Sequence, residues 1–115
     1  MRFRLELKLP KLRESVSGII SNSFVKAKKK IFDDEIYIGQ KSLFHCFRIC
    51  YFGTQIAIHN RIIDYLGNDF SKDYLSFKEF FNEMILIDDW EILNNKYRPL
   101  LNHNLTEFRI VAPKI

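Results

Sequence analysis

Residues 41–65 carry two parallel rows of side chains, and these rows limit what the chain can fold into. Cys46, Cys50, Gly53 and Ala57 lie at offsets of 4, 7 and 11, the spacing of one ridge on an α-helix. Small side chains on a ridge let another helix approach closely. A glycine inside a helix costs about 1 kcal/mol relative to alanine, which close packing must offset. A second row, Lys41, His45, Arg48, Phe52, Gln55 and His59, has the same helical spacing and is mostly polar. Leu43, Phe47, Ile58 and Ile62 widen the apolar surface. The pattern predicts a long central helix over about 41–65, capped by Ser42 or Gln40.

The flanking segments fit a bundle around it. Leu12, Val16, Ile19, Ile20, Phe24, Ala27 and Ile31 form an amphipathic stripe, so 11–31 reads as a helix, with an interruption near Gly18 or Ser21-Asn22-Ser23. Phe32 to Gln40 reads as a connector, in which Ile36-Tyr37-Ile38 could be a short extended piece. Gly67-Asn68-Asp69 breaks the chain. A helix follows over 71–86, capped by Ser71 or Asp73, and another starts at Asp88 or Asp89 with Trp90 and Leu93 inward. Pro99 suits the first turn of a last helix that stops before Pro113. Residues 2–9 alternate between apolar and charged side chains and end at Pro10, the pattern of a half-buried strand. The expected architecture is therefore mainly α: one domain over 1–115, with an extended arm or strand at 1–10 and an irregular helical bundle over 11–112.

Composition sets the outer limits. A chain of 115 residues with 47% hydrophobic content can build a core without covalent staples. No apolar run approaches the roughly 18 residues of a membrane span, and the first residues lack a signal-peptide core. A cytoplasmic protein that does not enter a membrane is the expectation. Cys46 and Cys50, four apart on one helix, read as reduced, buried side chains. His45 points to another face, so no zinc set forms, and no metal or cofactor is expected.

Charge is unevenly distributed. Residues 1–30 hold nine Lys or Arg against Glu6 and Glu14, while residues 31–115 hold nine against twelve acids. The densest part is Lys26, Lys28, Lys29 and Lys30. Such a run can attract nucleic acid, or can simply be the solvated end of a helix. The Lys41/His45/Arg48 row, extended by Gln55 and His59, contains no acid. It can follow the oxygens of a phosphate, or can face water.

The run Lys41-Ser42-Leu43-Phe44-His45-Cys46-Phe47-Arg48, with Gln55-Ile56-Ala57-Ile58-His59 and Ile62-Ile63-Asp64, resembles the helical C-terminal part of predicted nucleotidyltransferases of the DNA polymerase β superfamily. Ser21–Lys30 resembles the stretch before it in such proteins, and Asp89-Trp90-Glu91, Tyr97-Arg98-Pro99 and Glu107–Lys114 resemble their end. The resemblance runs from about Leu12 onward. It implies a catalytic half with a Gly-Ser turn and Asp-x-Asp carboxylates holding two metals. This chain has no Gly-Ser dipeptide, and its pairs Asp33-Asp34 and Asp88-Asp89 are adjacent rather than alternate. On its own it is expected not to be an enzyme but a non-catalytic module. Its partners would be nucleotide, RNA, a catalytic nucleotidyltransferase partner or a second copy of itself. Two other readings stand beside this one. One is a small structural or interaction protein, of viral or host-regulating type, that uses strand 2–9 for contacts. The other is a HEPN-like ribonuclease using Arg98 and His103, which match an Arg-x4-His spacing.

Overall fold

A turn only three residues long joins the first two helices, and it sets which residues meet. The computed structural model describes residues 3–70 and 76–112, with side chains described from residue 9. It contains α1 (Phe3–Phe32), α2 (Ile36–His59), α3 (Phe77–Met84) and α4 (Trp90–Val111). Among the described residues there is no strand. Between α1 and α2 the amides of Asp33 and Glu35 donate back to the Lys29 and Lys30 carbonyls at 2.9 and 2.8 Å. Asp34 sits at φ 67°, a left-handed conformation that a short polar side chain tolerates. The Lys30 ammonium closes the turn with a 2.8 Å contact to Glu35. The helices therefore run antiparallel, and residues equally far from Asp34 face each other.

The helix of 41–65 is present but displaced. It begins at Ile36, so Ile36-Tyr37-Ile38 is helical rather than extended, and its N-cap position is Glu35. Neither Ser42 nor Gln40 caps it. Gln40 is buried and donates to the Ile85 and Ile87 carbonyls at 3.2 and 2.7 Å, tying α2 to the loop after α3. The helix ends at His59, where Asn60 adopts φ 68° and its amide bonds the Ile56 carbonyl. An asparagine tolerates this left-handed cap better than most residues do.

Of the strand expected over 2–9, residues 3–9 are instead the start of α1, and Arg2 lies outside the described residues. A lone strand has no partner for its backbone, whereas a helix satisfies its own. Strand addition to a partner thus loses its structural basis. Gly18 and Ser21-Asn22-Ser23 do not interrupt α1 either. Val16, Ile20, Ala27 and Ile31 are all buried, and that stripe holds a single helix in register.

The row of small residues does bring helices together. Cys46, Cys50 and Gly53 are buried. A Cβ added at Gly53 would lie 2.9 Å from Val16 Cγ2 and 3.1 Å from Phe108 Cε1, so α1 and α4 both close on this point. α2 packs most extensively on α1 and also meets α3 and α4. On its other flank Phe47 meets Phe80 at 4.9 Å between ring centroids, and Phe80 meets Phe70 and Tyr97. Each such buried ring contributes about 1.5–3 kcal/mol by area.

α3 starts later than the expected 71–86. Its cap is Ser76, whose hydroxyl accepts from the Glu79 amide; Ser71 and Asp73 lie outside the described residues. Asp89 caps α4, as expected, by accepting from the Ile92 amide at 3.1 Å. No new helix starts at Pro99. It lies inside α4, exposed, while Trp90, Leu93, Tyr97, Leu101 and Phe108 stay buried on the opposite side. The missing hydrogen bond falls on the wet face, where the Asn95 carbonyl can bond water.

Candidate functional site

Four basic side chains from two helices line one cleft. Ser42 lies eight residues after Asp34 and Lys26 lies eight before it, so the antiparallel turn sets Lys26 against the start of the α2 row. The cleft measures about 310 Å³ and is lined by Ser23, Lys26, Ile38, Lys41, Ser42, His45 and Arg48. None of these is acidic. Two of the cations rest on aromatic rings one turn earlier in α2. Lys41 Nζ is 5.4 Å from the Tyr37 ring centroid, and Arg48 Cζ is 5.9 Å from that of Phe44. Phe44 is itself anchored against Phe77 and Phe81. These stacks restrict long side chains that would otherwise lose entropy on binding.

The imidazole is fixed by its neighbour. Arg48 Nη2 lies 3.0 Å from His45 Nδ1. A guanidinium has no acceptor, so Nδ1 accepts and the ring proton sits on Nε2. Burial, with the charges of Arg48 and Lys26 alongside, holds the His45 pKa below its ordinary 6.5. The cleft thus presents two lysines, an arginine and, near neutral pH, an uncharged imidazole N–H donor. Exposed cations that share a cleft with no carboxylate in its lining favour an incoming anion, and phosphate oxygens suit this donor set.

Lys41, His45 and Arg48 are brought together as their spacing predicts, but Gln55 and His59 do not join them. Gln55 is buried. Its Oε1 accepts from the Ile63 and Asp64 amides at 2.9 and 2.8 Å, and its Nε2 donates to the Asp64 carbonyl at 3.3 Å. A side-chain amide used at both ends is a structural clamp and not a phosphate ligand. His59 is exposed in the last turn of α2, eleven residues or about 16 Å along the axis from Arg48. The lysine run also divides. Lys26, Lys28 and Lys29 are all exposed, but only Lys26 lines the cleft, and Lys30 is engaged by Glu35. Sequence reasoning missed the union of Lys26 with the α2 row, and with it Ser23, Ser42 and Ile38. Counting outward from a short helix–helix turn would have found it.

The ribonuclease pair is not assembled. Arg98 lies over the Phe24 ring at 5.1 Å, and His103 Nε2 faces Glu107 at 3.5 Å. Five residues on a continuous helix place side chains about 140° apart. Arg98 lines a shallow groove with Asn102 and Phe24, and His103 does not line it.

Another cleft, of about 380 Å³ between α2 and α4, is apolar, and its one charged lining residue is Glu107; it does not suit an anion. The Cys50 thiol on its wall, like that of Cys46, is pushed up to about 12 by burial, so neither is a nucleophile at neutral pH. Both cysteines are free and buried, as expected. Among the described residues no three His, Cys, Asp or Glu side chains gather to hold a metal ion. Among them, too, no helix is long and apolar enough to cross a membrane. The chain matches no family model, no curated protein and no solved structure.

Proposed function

We propose that this chain is a non-catalytic helical module that binds the phosphate of a nucleotide or of RNA in the cleft between α1 and α2. One observation carries the reading: Lys26 from α1 and Lys41, His45 and Arg48 from α2 converge on one concavity with no acidic side chain in its lining. Solvated helix faces ordinarily mix charges of both signs, and isolated surface lysines do not share a cleft with an imidazole whose proton position is fixed. The resemblance of 41–64 to the helical part of nucleotidyltransferases supports the same ligand class. On this reading any nucleotidyl transfer belongs to a separate catalytic domain, because this chain has no Gly-Ser and Asp-x-Asp metal site.

The test is binding of a labelled short oligoribonucleotide, and separately of ATP, by fluorescence anisotropy across a salt series. Affinity should fall with salt, with a log–log slope of about −0.7 per phosphate engaged on a single strand. Arg48→Glu and Lys26→Glu should each weaken binding by about tenfold or more, while Lys28→Glu, outside the cleft lining, should change it little. Helical content and melting temperature should stay close to wild type in all three. Absence of salt-dependent binding to either probe would remove the proposal.

A further inference from the structure

We infer that the cleft reads a terminal phosphate monoester, the phosphorylated end of a nucleotide or short RNA, in preference to an internal phosphodiester. This rests on the phosphate-binding reading above and narrows its ligand. A protein that follows a nucleic-acid backbone needs cations in a track. Here they converge on one cleft of about 310 Å³, near the lower limit for a small-ligand site. Among the described residues, no other basic side chain lines it. Toward the α1–α2 turn Lys30 is engaged by Glu35 at 2.8 Å, and Lys29, exposed one turn from Lys26, does not line the cleft. Toward the far end of α2 the next basic side chain of the row is His59, about 16 Å beyond Arg48.

An internal diester brings one negative charge and two non-bridging oxygens. A monoester brings nearly two charges near neutral pH and three such oxygens. Lys26, Lys41 and Arg48 supply three positive charges, and the Ser23 and Ser42 hydroxyls add donors. The His45 ring contributes Nε2–H, because Nδ1 is taken by Arg48. A diester would offset one of these three charges, whereas a monoester offsets nearly two and so gains more from the same exposed cations. The groups around His45 are Lys26 from α1 and Arg48 and Lys41 from α2, all basic, so a more highly charged ligand relieves more repulsion.

The experiment compares one oligoribonucleotide sequence carrying either a 5′-phosphate or a 5′-hydroxyl, titrated against the full chain. The phosphorylated form should bind about tenfold tighter or more. Arg48→Gln and Lys26→Gln, on different helices, should each bring the ratio near unity. Equal binding of the two oligonucleotides, weakened alike by both substitutions, would overturn this inference while leaving phosphate binding intact. Binding of neither would remove both. A preference that survives both substitutions would place the end elsewhere and also overturn it. Competition separates the sources of the phosphate. Displacement by AMP and not by inorganic phosphate supports a nucleotide end, and equal displacement by inorganic phosphate overturns that assignment.

Discussion

Gln55 grips the backbone of Asp64 from both sides, accepting from its amide at 2.8 Å and donating to its carbonyl at 3.3 Å. The loop after α2 is thereby folded over the end of the helix that precedes it. Gln55→Ala should leave the Ile63 and Asp64 amides without their acceptor and cost about 1–3 kcal/mol. Urea unfolding followed by Trp90 fluorescence measures this. Phosphate affinity should be unchanged. A stable Gln55→Ala protein with lost phosphate affinity would mean that Gln55 belongs to the ligand site after all.

Acid should weaken the fold in two separable windows. His45 is held below its ordinary 6.5 by burial and by Arg48 and Lys26. As pH falls through 6.5 the unfolded chain takes up a proton that the folded chain resists, so stability is lost there and below. Asp64 behaves differently. Burial disfavours its charge, but the Asp69 and Asn68 amides and the Tyr51 hydroxyl outweigh it and hold the carboxyl below its ordinary 3.8. That contribution is present above 3.8 and is lost as pH falls through the lowered value. Melting temperature against pH should show both losses. His45→Gln should remove the first and Asp64→Asn the second. A profile unchanged by His45→Gln would show that the imidazole is not held neutral by this environment.

Two glycines should respond to alanine with opposite signs. At Gly18, exposed in α1, an added Cβ meets nothing within 4 Å, so Gly18→Ala should stabilise by about 0.5–1 kcal/mol through helix propensity. At Gly39 the same Cβ would lie 2.5 Å from Ile31 Cγ1 and 2.8 Å from the Ala27 carbonyl oxygen. Gly39→Ala should push α2 off α1 and cost about 1–3 kcal/mol despite alanine's better propensity. Because Lys26 adjoins Ala27, it should also weaken phosphate binding. Thermal melts and the anisotropy assay read both effects, and equal shifts at the two positions would contradict this packing.

Pro99 gives a test of the continuity of α4. An interior proline forfeits one helical hydrogen bond, so Pro99→Ala should stabilise by about 1–3 kcal/mol. Were Pro99 the first turn of a separate helix, the same change would be neutral or unfavourable. Denaturant midpoints distinguish the two outcomes.

Periodicity alone made the central helix, the buried stripe of α1 and the row of small residues legible, because these depend on side chains three or four positions apart. It failed where local signals compete with packing. The alternation of 2–9 and the proline at 99 both suggested boundaries, and buried stripes or backbone satisfaction overrode them. The interruption expected near Gly18 failed for the same reason.

Sequence by itself determined that Lys41, His45 and Arg48 share one edge, since the helical repeat places them there whatever surrounds the helix. Only tertiary structure decided what that edge became. The turn at 33–35 set Lys26 beside it, Glu35 engaged Lys30, and the loop after α2 took Gln55 into the interior. The repeat of a helix is set by its own backbone hydrogen bonds, whereas these three outcomes depend on contacts between segments that the repeat does not specify.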